Sequence, residues 1–433
     1  MATKKWPRLA AGFACVALAA TASACSSSSS SGSSTSGSSA SATSAASSSA
    51  PAASKLSGAP VTIGSMFPVN ASLATFPQLP YLAQIAVDVV NANGGIKGHP
   101  LHWVHCDDKG DPNVAATCAN QLMNTDKVKA LVESVGVEGN IAWPLIKKAN
   151  IINWFNVPIW PEDGTSPLSY PAGLGIYADQ NIGILVKPHE FKKVDCLSTA
   201  GAFAGPICGF AKAGLAAKGI TNFTTITWPV GTSSFQPYAE KVVADGADAV
   251  VIVEADTLTA PVLQALAAAN AKVTVLEPST SIGDQSLAVA KQNGIPLRVA
   301  GSWAQNPDQF AARQAMLANV QKHASSVGAP ANLDASSDNA FNMYQGILTL
   351  AAVMNGAKSL STADMQAYIA AHPIATGVAP PLDWGKSGPL PGNPRVVQIF
   401  ATPQTMNSSG ALVSASNTWT SGFVGTSITC CSS

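Results

Sequence analysis

The chain has 433 residues with 24 Lys and Arg against 24 Asp and Glu, a formal charge of zero, 47% hydrophobic residues and only 11% charged ones. With no net charge and no basic cluster, neither a nucleic acid nor an anionic lipid surface finds an electrostatic handle. No apolar run is long enough to cross a bilayer as a helix.

Lys4-Lys5-Trp6-Pro7-Arg8 and the apolar run 9–20 predict a signal peptide over residues 1–24. It ends in Ala22-Ser23-Ala24-Cys25, which resembles a lipobox with Ala22 where Leu is usual, and which makes Cys25 the lipidation site. Cleavage after Ala24 without a lipid is the alternative. Residues 25–58 then read as the lipidated Cys and a tether, because 26–54 is almost wholly Ser, Ala, Thr and Gly and cannot bury enough apolar surface to fold.

From residue 59 short β-branched runs alternate with helical patterns, which predicts a parallel sheet covered by helices. The first strand is 61–66. Leu82, Ile85, Ala86, Val89 and Val90 recur at helical spacing, and Gly94-Gly95 stops that helix. A strand at 101–106 precedes Asp111-Pro112, an N-cap with Pro at the first helical position. Strand 129–134, helix 141–149 and strand 151–155 complete a first lobe. After a Pro-rich passage at 156–175 the alternation resumes with strands at 194–198, 223–227, 249–254, 272–276 and 297–301. Helices follow at 307–324 and 338–355, and Ser361-Thr362-Ala363-Asp364 reads as a capping box for another.

Of the eight cysteines, Cys15 leaves with the signal peptide. Cys106 and Cys118 are separated by the same interval as Cys196 and Cys208, and each pair joins a strand to the helix after it. Two local disulfides in an oxidising compartment are expected, with buried thiols as the alternative. The sequence assigns no partner to Cys430 or Cys431.

Asn91-Ala92-Asn93-Gly94-Gly95-Ile96-Lys97-Gly98, followed by Asp107-Asp108-Lys109-Gly110-Asp111-Pro112, resembles the type I extracytoplasmic solute-binding proteins, in the branch named for branched-chain amino acid binding. Tyr177-Ala178-Asp179-Gln180-Asn181 resembles the family's first crossing between lobes. Leu382-Asp383-Trp384-Gly385 and Arg395-Val396-Val397-Gln398-Ile399-Phe400 resemble its last crossing and closing strand. The resemblance implies an α/β fold of two Rossmann-like lobes with parallel sheets, joined by a three-crossing hinge. The N-terminal lobe would be 59–177 plus 304–378 and the C-terminal lobe 178–303 plus 379–433. It also implies a small-molecule ligand, no cofactor, an ABC transporter permease as partner, and the extracytoplasmic face of the cell membrane as location, reached through the lipid anchor. A ligand-sensing module read by a membrane signalling partner is the alternative.

Similar proteins hold an amino acid's carboxylate with Ser or Thr hydroxyls after the third strand and its ammonium with an acid on the second lobe. Here the first position reads Val135-Gly136-Val137-Glu138-Gly139 and the second falls near Pro278-Ser279-Thr280, with Glu254, Asp256 and Glu277 nearby. A neutral or cationic solute with an apolar body is therefore expected in place of an α-amino acid held in the usual way.

Ligands of open parallel sheets bind beyond the carboxyl ends of the strands. Phe67 and Asn70 follow the first strand, Glu138 and Gly139 the third, and Phe155 and Asn156 the fourth. Tyr177 stands at the crossing, and Trp228, Glu254, Asp256, Thr280 and Trp303 end strands of the second lobe. Trp154, Trp160, Trp228 and Trp303 are candidates for an aromatic wall, with core packing as the alternative for each. Glu254 and Asp256 have helix capping as theirs.

Enzyme signatures are weak. Gly385-Lys386-Ser387 has Pro380 where a phosphate-binding loop needs Gly, and no nucleophile elbow, HExxH or CxxC stands in the chain. His102 and His105 diverge on a strand, against a metal site.

Overall fold

The computed structural model describes residues 56–71, 75–134, 139–201, 204–306 and 309–431. The predicted signal peptide, Cys25, the tether as far as residue 55 and Glu138 lie outside them.

Five parallel strands form the first sheet: β1 (Val61–Met66), β2 (Leu101–Cys106), β3 (Ala130–Val132), β4 (Ile152–Trp154) and β5 (Ser169–Tyr170), in the order β2-β1-β3-β4-β5. Side chains alternate across a strand, so Ala130 and Val132 join one core and Leu131 the other. Helix α1 (Leu79–Ala92) covers the first of these faces; α2 (Pro112–Asn120) and α3 (Gly139–Ala149) cover the second. Asp111 caps α2 as predicted, accepting from the N–H groups of Asn113 and Val114 at 2.8 and 3.1 Å. Gly95 ends the turn after α1 with φ +64°, where a Cβ would stand 2.1 Å from the carbonyl oxygen of His99. Only Gly fits there.

The Pro-rich passage carries a helical turn, α4 (Pro161–Thr165), as well as β5. Both are too short for periodicity to reveal. The chain then crosses through a 3₁₀ segment, Gly175–Leu185.

The second sheet holds β6 (Val194–Thr199), β7 (Phe223–Trp228), β8 (Ala249–Val253), β9 (Thr274–Pro278), β10 (Leu297–Gly301), β11 (Thr402–Met406) and β12 (Leu412–Ser414). Its order is β12-β11-β10-β9-β8-β6-β7; β6 to β10 are parallel, while β11 and β12 are antiparallel additions at one edge. Helices α5 (Ala204–Ala216), α6 (Gln236–Asp245), α7 (Asp256–Ala268) and α8 (Asp284–Asn293) flank it. The 3₁₀ segment lies backbone to backbone on α5. A Cβ on Gly183 would be 2.3 Å from the carbonyl oxygen of Gly214, and one on Gly214 2.2 Å from that of Gln180.

Helices α9 (Ala311–His323), α10 (Asp338–Gly356) and α11 (Thr362–Ala371) return to the first core, where Met316, Phe341 and Met365 are buried. The capping box at α11 is half made. Ser361 Oγ accepts the Asp364 N–H at 3.2 Å, but the Asp364 carboxylate takes the hydroxyl of Ser359 instead of the Ser361 N–H.

Three expectations are corrected. Residues 395–400 form no strand, because Val396 and Ile399 are drawn into a hinge cluster with Leu174 and Ala178; the closing strand is β11. Leu382 and Trp384, expected on the second lobe, pack in the first core, where Trp384 lies 5.1 Å from Trp154 and 5.4 Å from Tyr170 between ring centroids. The last hairpin, β13 (Thr418–Thr420) with β14 (Ser427–Thr429), also leans on that core through Trp419.

Both expected disulfides are present, Cys106–Cys118 and Cys196–Cys208, with Cα separations of 5.4 and 5.9 Å. Cys430 and Cys431 have their sulfurs in bonding contact, and Cys431 Sγ sits 3.0 Å from the carbonyl oxygen of Ala379.

Candidate functional site

The parallel strands of each sheet run in the order 2-1-3-4-5, which reverses beside its first strand and opens a crevice at the carboxyl ends. In the first lobe the loop after β1 leaves that reversal; in the second, the loop after β8 does. These loops line two adjoining cavities, of about 300 and 200 Å³, that share Phe76, Ala255, Thr280 and Asn339. Phe76 and Asn339 come from the first lobe and Ala255 and Thr280 from the second, so the cleft lies between them.

The smaller cavity is mostly apolar, walled by Val157, Ile159, Ile176, Ile207 and Val253. Two acids also line it. Glu254 Oε1 accepts the Thr199 N–H, and burial raises its carboxyl to about 7, above the usual carboxylate range. Asp179 comes from the 3₁₀ crossing; it is 3% exposed, its Oδ1 accepts no hydrogen bond from a described residue, and burial raises it well above the usual range. Behind them Glu277 is wholly buried and raised as well, first by burial, then by the nearby charges of Asp179 and Glu254; its Oε1 accepts the Ile252 N–H at 2.7 Å.

The larger cavity is more polar, with Gln78, Tyr81, Asp256, Gln285 and Asp334 among its walls. Asp256 is committed to α8: its Oδ1 accepts the N–H groups of Gly283 and Ser286 at 2.9 and 3.0 Å and the hydroxyl of Ser286. This is the capping role weighed as its alternative, performed across two helices.

Of the residues singled out in the sequence, Glu254, Asp256 and Thr280 meet at the cleft. The other described ones lie elsewhere. Phe67 is fully buried and stacks on His105 at 4.0 Å, and Asn70 is exposed without lining either cavity. Gly139 lies beneath the Trp160 ring, which leaves no room for a Cβ. Phe155 stacks between Trp154 and Trp303, at 5.3 and 6.4 Å. Asn156 donates to Asp163 at 3.0 Å and accepts from Ser169 at 3.2 Å, so its amide is spent on the chain's own turn. Tyr177 stands at the hinge, its hydroxyl 3.1 Å from Asn393 Oδ1 and its ring edge-on to Phe210.

The aromatic wall is not formed. Trp228 is buried, donates to Thr199 Oγ1 at 2.9 Å and packs edge-on to Phe235 and Tyr238. Trp303, fully buried, packs 5.2 Å from Phe341. Strand-end aromatics serve here to seat helices on the sheets, which hides more apolar area than a solvated cleft wall would. The cleft instead uses Phe76, Ile176 and Asp179. Phe76 falls under the same strand-end rule that selected Phe67. Asp179 stood within the quoted crossing motif, where a lone acid in an apolar run was the available signal.

The family model described as "Periplasmic binding protein" matches residues 60–402. Among curated proteins, the chain is 27% identical over 203 residues to a Leu/Ile/Val-binding protein homolog 3 of Brucella melitensis, covering 44% of this chain and 54% of that one. It thus spans about half the length of the first curated relative it matches. It is 25% identical over 347 residues to an amino acid binding protein of Pseudomonas aeruginosa, covering 77% of this chain and 88% of that one. A solute-binding protein of an R. palustris ABC transporter, solved with 4-hydroxybenzoate, superposes with a TM-score of 0.68 at 15% identity over 82% of this chain and 95% of its own. That likeness is one of fold. The chain belongs to the periplasmic binding protein family, type I, in the branch named for branched-chain amino acid binding.

Proposed function

From that membership we propose that the chain is an extracytoplasmic receptor that captures a small solute between its lobes, carries out no chemistry on it, and delivers it to an ABC permease. The observation that carries this reading is the cleft itself: two adjoining cavities walled from both lobes, at the strand-order reversal of each sheet. Chain crossings between the lobes, among them the 3₁₀ segment Gly175–Leu185 and the passage around Ile399, make a hinge about which such a cleft closes over its ligand. Cys25 with its Ser-rich tether would hold the receptor at the membrane surface. The walls suit a neutral or cationic solute with an apolar body.

The test is mass spectrometry of solute released from natively purified protein, followed by a thermal-shift titration with that solute. At about a hundred times its dissociation constant the solute adds about 2.7 kcal/mol of stability. Deleting the gene then abolishes cellular uptake of the same solute. Uptake that persists while a transcriptional response to the solute is lost points to sensing and overturns the transport step.

A further inference from the structure

We propose that the solute is an organic amine without a carboxylate, its ammonium received by the carboxyls of Asp179 and Glu254 and its apolar body by the slot around them. This rests on the receptor reading above and narrows it to one chemical class.

Three observations carry it. First, Asp179 and Glu254 line the same cavity of about 200 Å³, and both are largely withdrawn from water. Second, Asp179 Oδ1 is buried and no described residue donates to it. An unpaired buried acceptor is costly, so a group that supplies donors at that point is favoured. An ammonium carries three, whereas an alcohol brings one. Third, among the described residues no Lys, Arg or His lines either cavity. Residues 72–74 and 135–138, which also follow strands of the first sheet, contain none in their sequence. A ligand carboxylate would meet two acids with no cation to balance it, and its desolvation would go uncompensated. A cation meets the reverse situation: its charge favours the ionised form of both raised carboxyls, whose protons leave for solvent as it binds.

The rest of the cavity sets the body of the ligand. Phe76, Val157, Ile159, Ile176 and Ile207 surround the acids with hydrocarbon, so a polyamine or an ammonium ion alone would leave that surface unused.

The experiment is calorimetric titration of the purified protein with hexylamine, phenethylamine and tryptamine, each compared with the alcohol and the carboxylate of the same skeleton, and with leucine. The expected result is that at least one amine binds ten times or more tightly than its alcohol, with no measurable binding of its carboxylate. Glu254→Gln and Asp179→Asn are each expected to weaken that amine about 10–100-fold, as loss of a hydrogen bond to a charged group does, and to leave the alcohol within about threefold. Both substitutions remove a buried ionisable group, and an unchanged or raised melting temperature shows that they fold. An alcohol or carboxylate that binds as tightly as its amine, or an amine indifferent to both substitutions, overturns the inference. If natively purified protein carries a non-amine solute, the amine assignment fails and the receptor reading stands. If no solute co-purifies and no compound in a broad panel raises the melting temperature, the receptor reading itself fails.

Discussion

The hydroxyl of Ser279, at the end of β9, donates to Asp338 Oδ2 at 2.5 Å, joining the second lobe to the first residue of α10 in the first. Ser279 Oγ also accepts the Ser302 N–H at 2.9 Å, so one buried hydroxyl ties two strand ends of one lobe to a helix of the other. Ser279→Ala is expected to leave the buried Asp338 carboxyl with Ser302 as its remaining donor and to lower stability by about 1–3 kcal/mol. Asp338→Asn, which keeps an acceptor, should lower it by less. Urea denaturation midpoints measure both, and midpoints equal to the parent's in the two variants would show that the bond contributes nothing.

Stability of the ligand-free protein is expected to fall as pH rises from about 4.5 through about 7. Glu254 titrates at about 7 in the folded chain, against 4.5 for an ordinary Glu, so the folded state holds its proton more tightly than the unfolded state does. Its contribution is complete below the unfolded value and is lost as pH climbs through the folded one; a displacement of that size is worth about 3 kcal/mol. Asp179, which lines the same cavity, and Glu277, which the charge of Glu254 reaches, are raised in the same direction, as are Asp284 and Asp338 at about 6. The informative quantity is therefore the difference between Glu254→Gln and the parent. The variant should show the shallower decline, and parallel curves would count against a buried, proton-holding Glu254.

The two disulfides are expected to differ in accessibility. Cys196 and Cys208 are 0% and 2% exposed, whereas Cys106 is half-buried. A graded reductant with alkylation and peptide mapping should therefore label Cys106 and Cys118 first. Replacing either pair by Ser is expected to remove about 3 kcal/mol, the loop-closure value for a ring of this length. Labelling of Cys196 ahead of Cys106 would reverse the assignment.

With Cys25 as the proposed point of lipid attachment, Cys25→Ser is expected to release the protein from the membrane fraction into the medium. The check is fractionation with immunodetection. Retention equal to the parent's would place the anchor elsewhere.

Most strands and helices could be read from the chain because apolar side chains recur at periods of two or 3.6 wherever a face is buried. The same rule misread residues 395–400, where Val396 and Ile399 are buried by the hinge and not by a sheet. The cleft was legible only in part. Glu254 and Thr280 follow from the strand-end rule, which needs nothing beyond strand positions. Trp228 and Trp303 satisfy that rule equally well but are spent on packing, since an aromatic at a strand end looks the same in sequence whether it turns toward a helix or toward a cleft. Asp179 escaped for the opposite reason: it ends no strand and reaches the cavity only because the 3₁₀ crossing passes beneath it.

The tight seating of Gly183 against Gly214 makes the crossing segment mechanically part of the second lobe. Asp179 sits on that segment and Glu254 on the same lobe's sheet, so any swing of the lobes carries the two carboxyls together, as teeth of one jaw. Their spacing is then set when the chain folds, before any solute arrives, and the desolvation of both acids belongs to folding instead of to capture. A solute that fits them meets a prearranged pair. In the proposed closure, the first lobe's share of the grip, led by Phe76, is the part that travels to meet it.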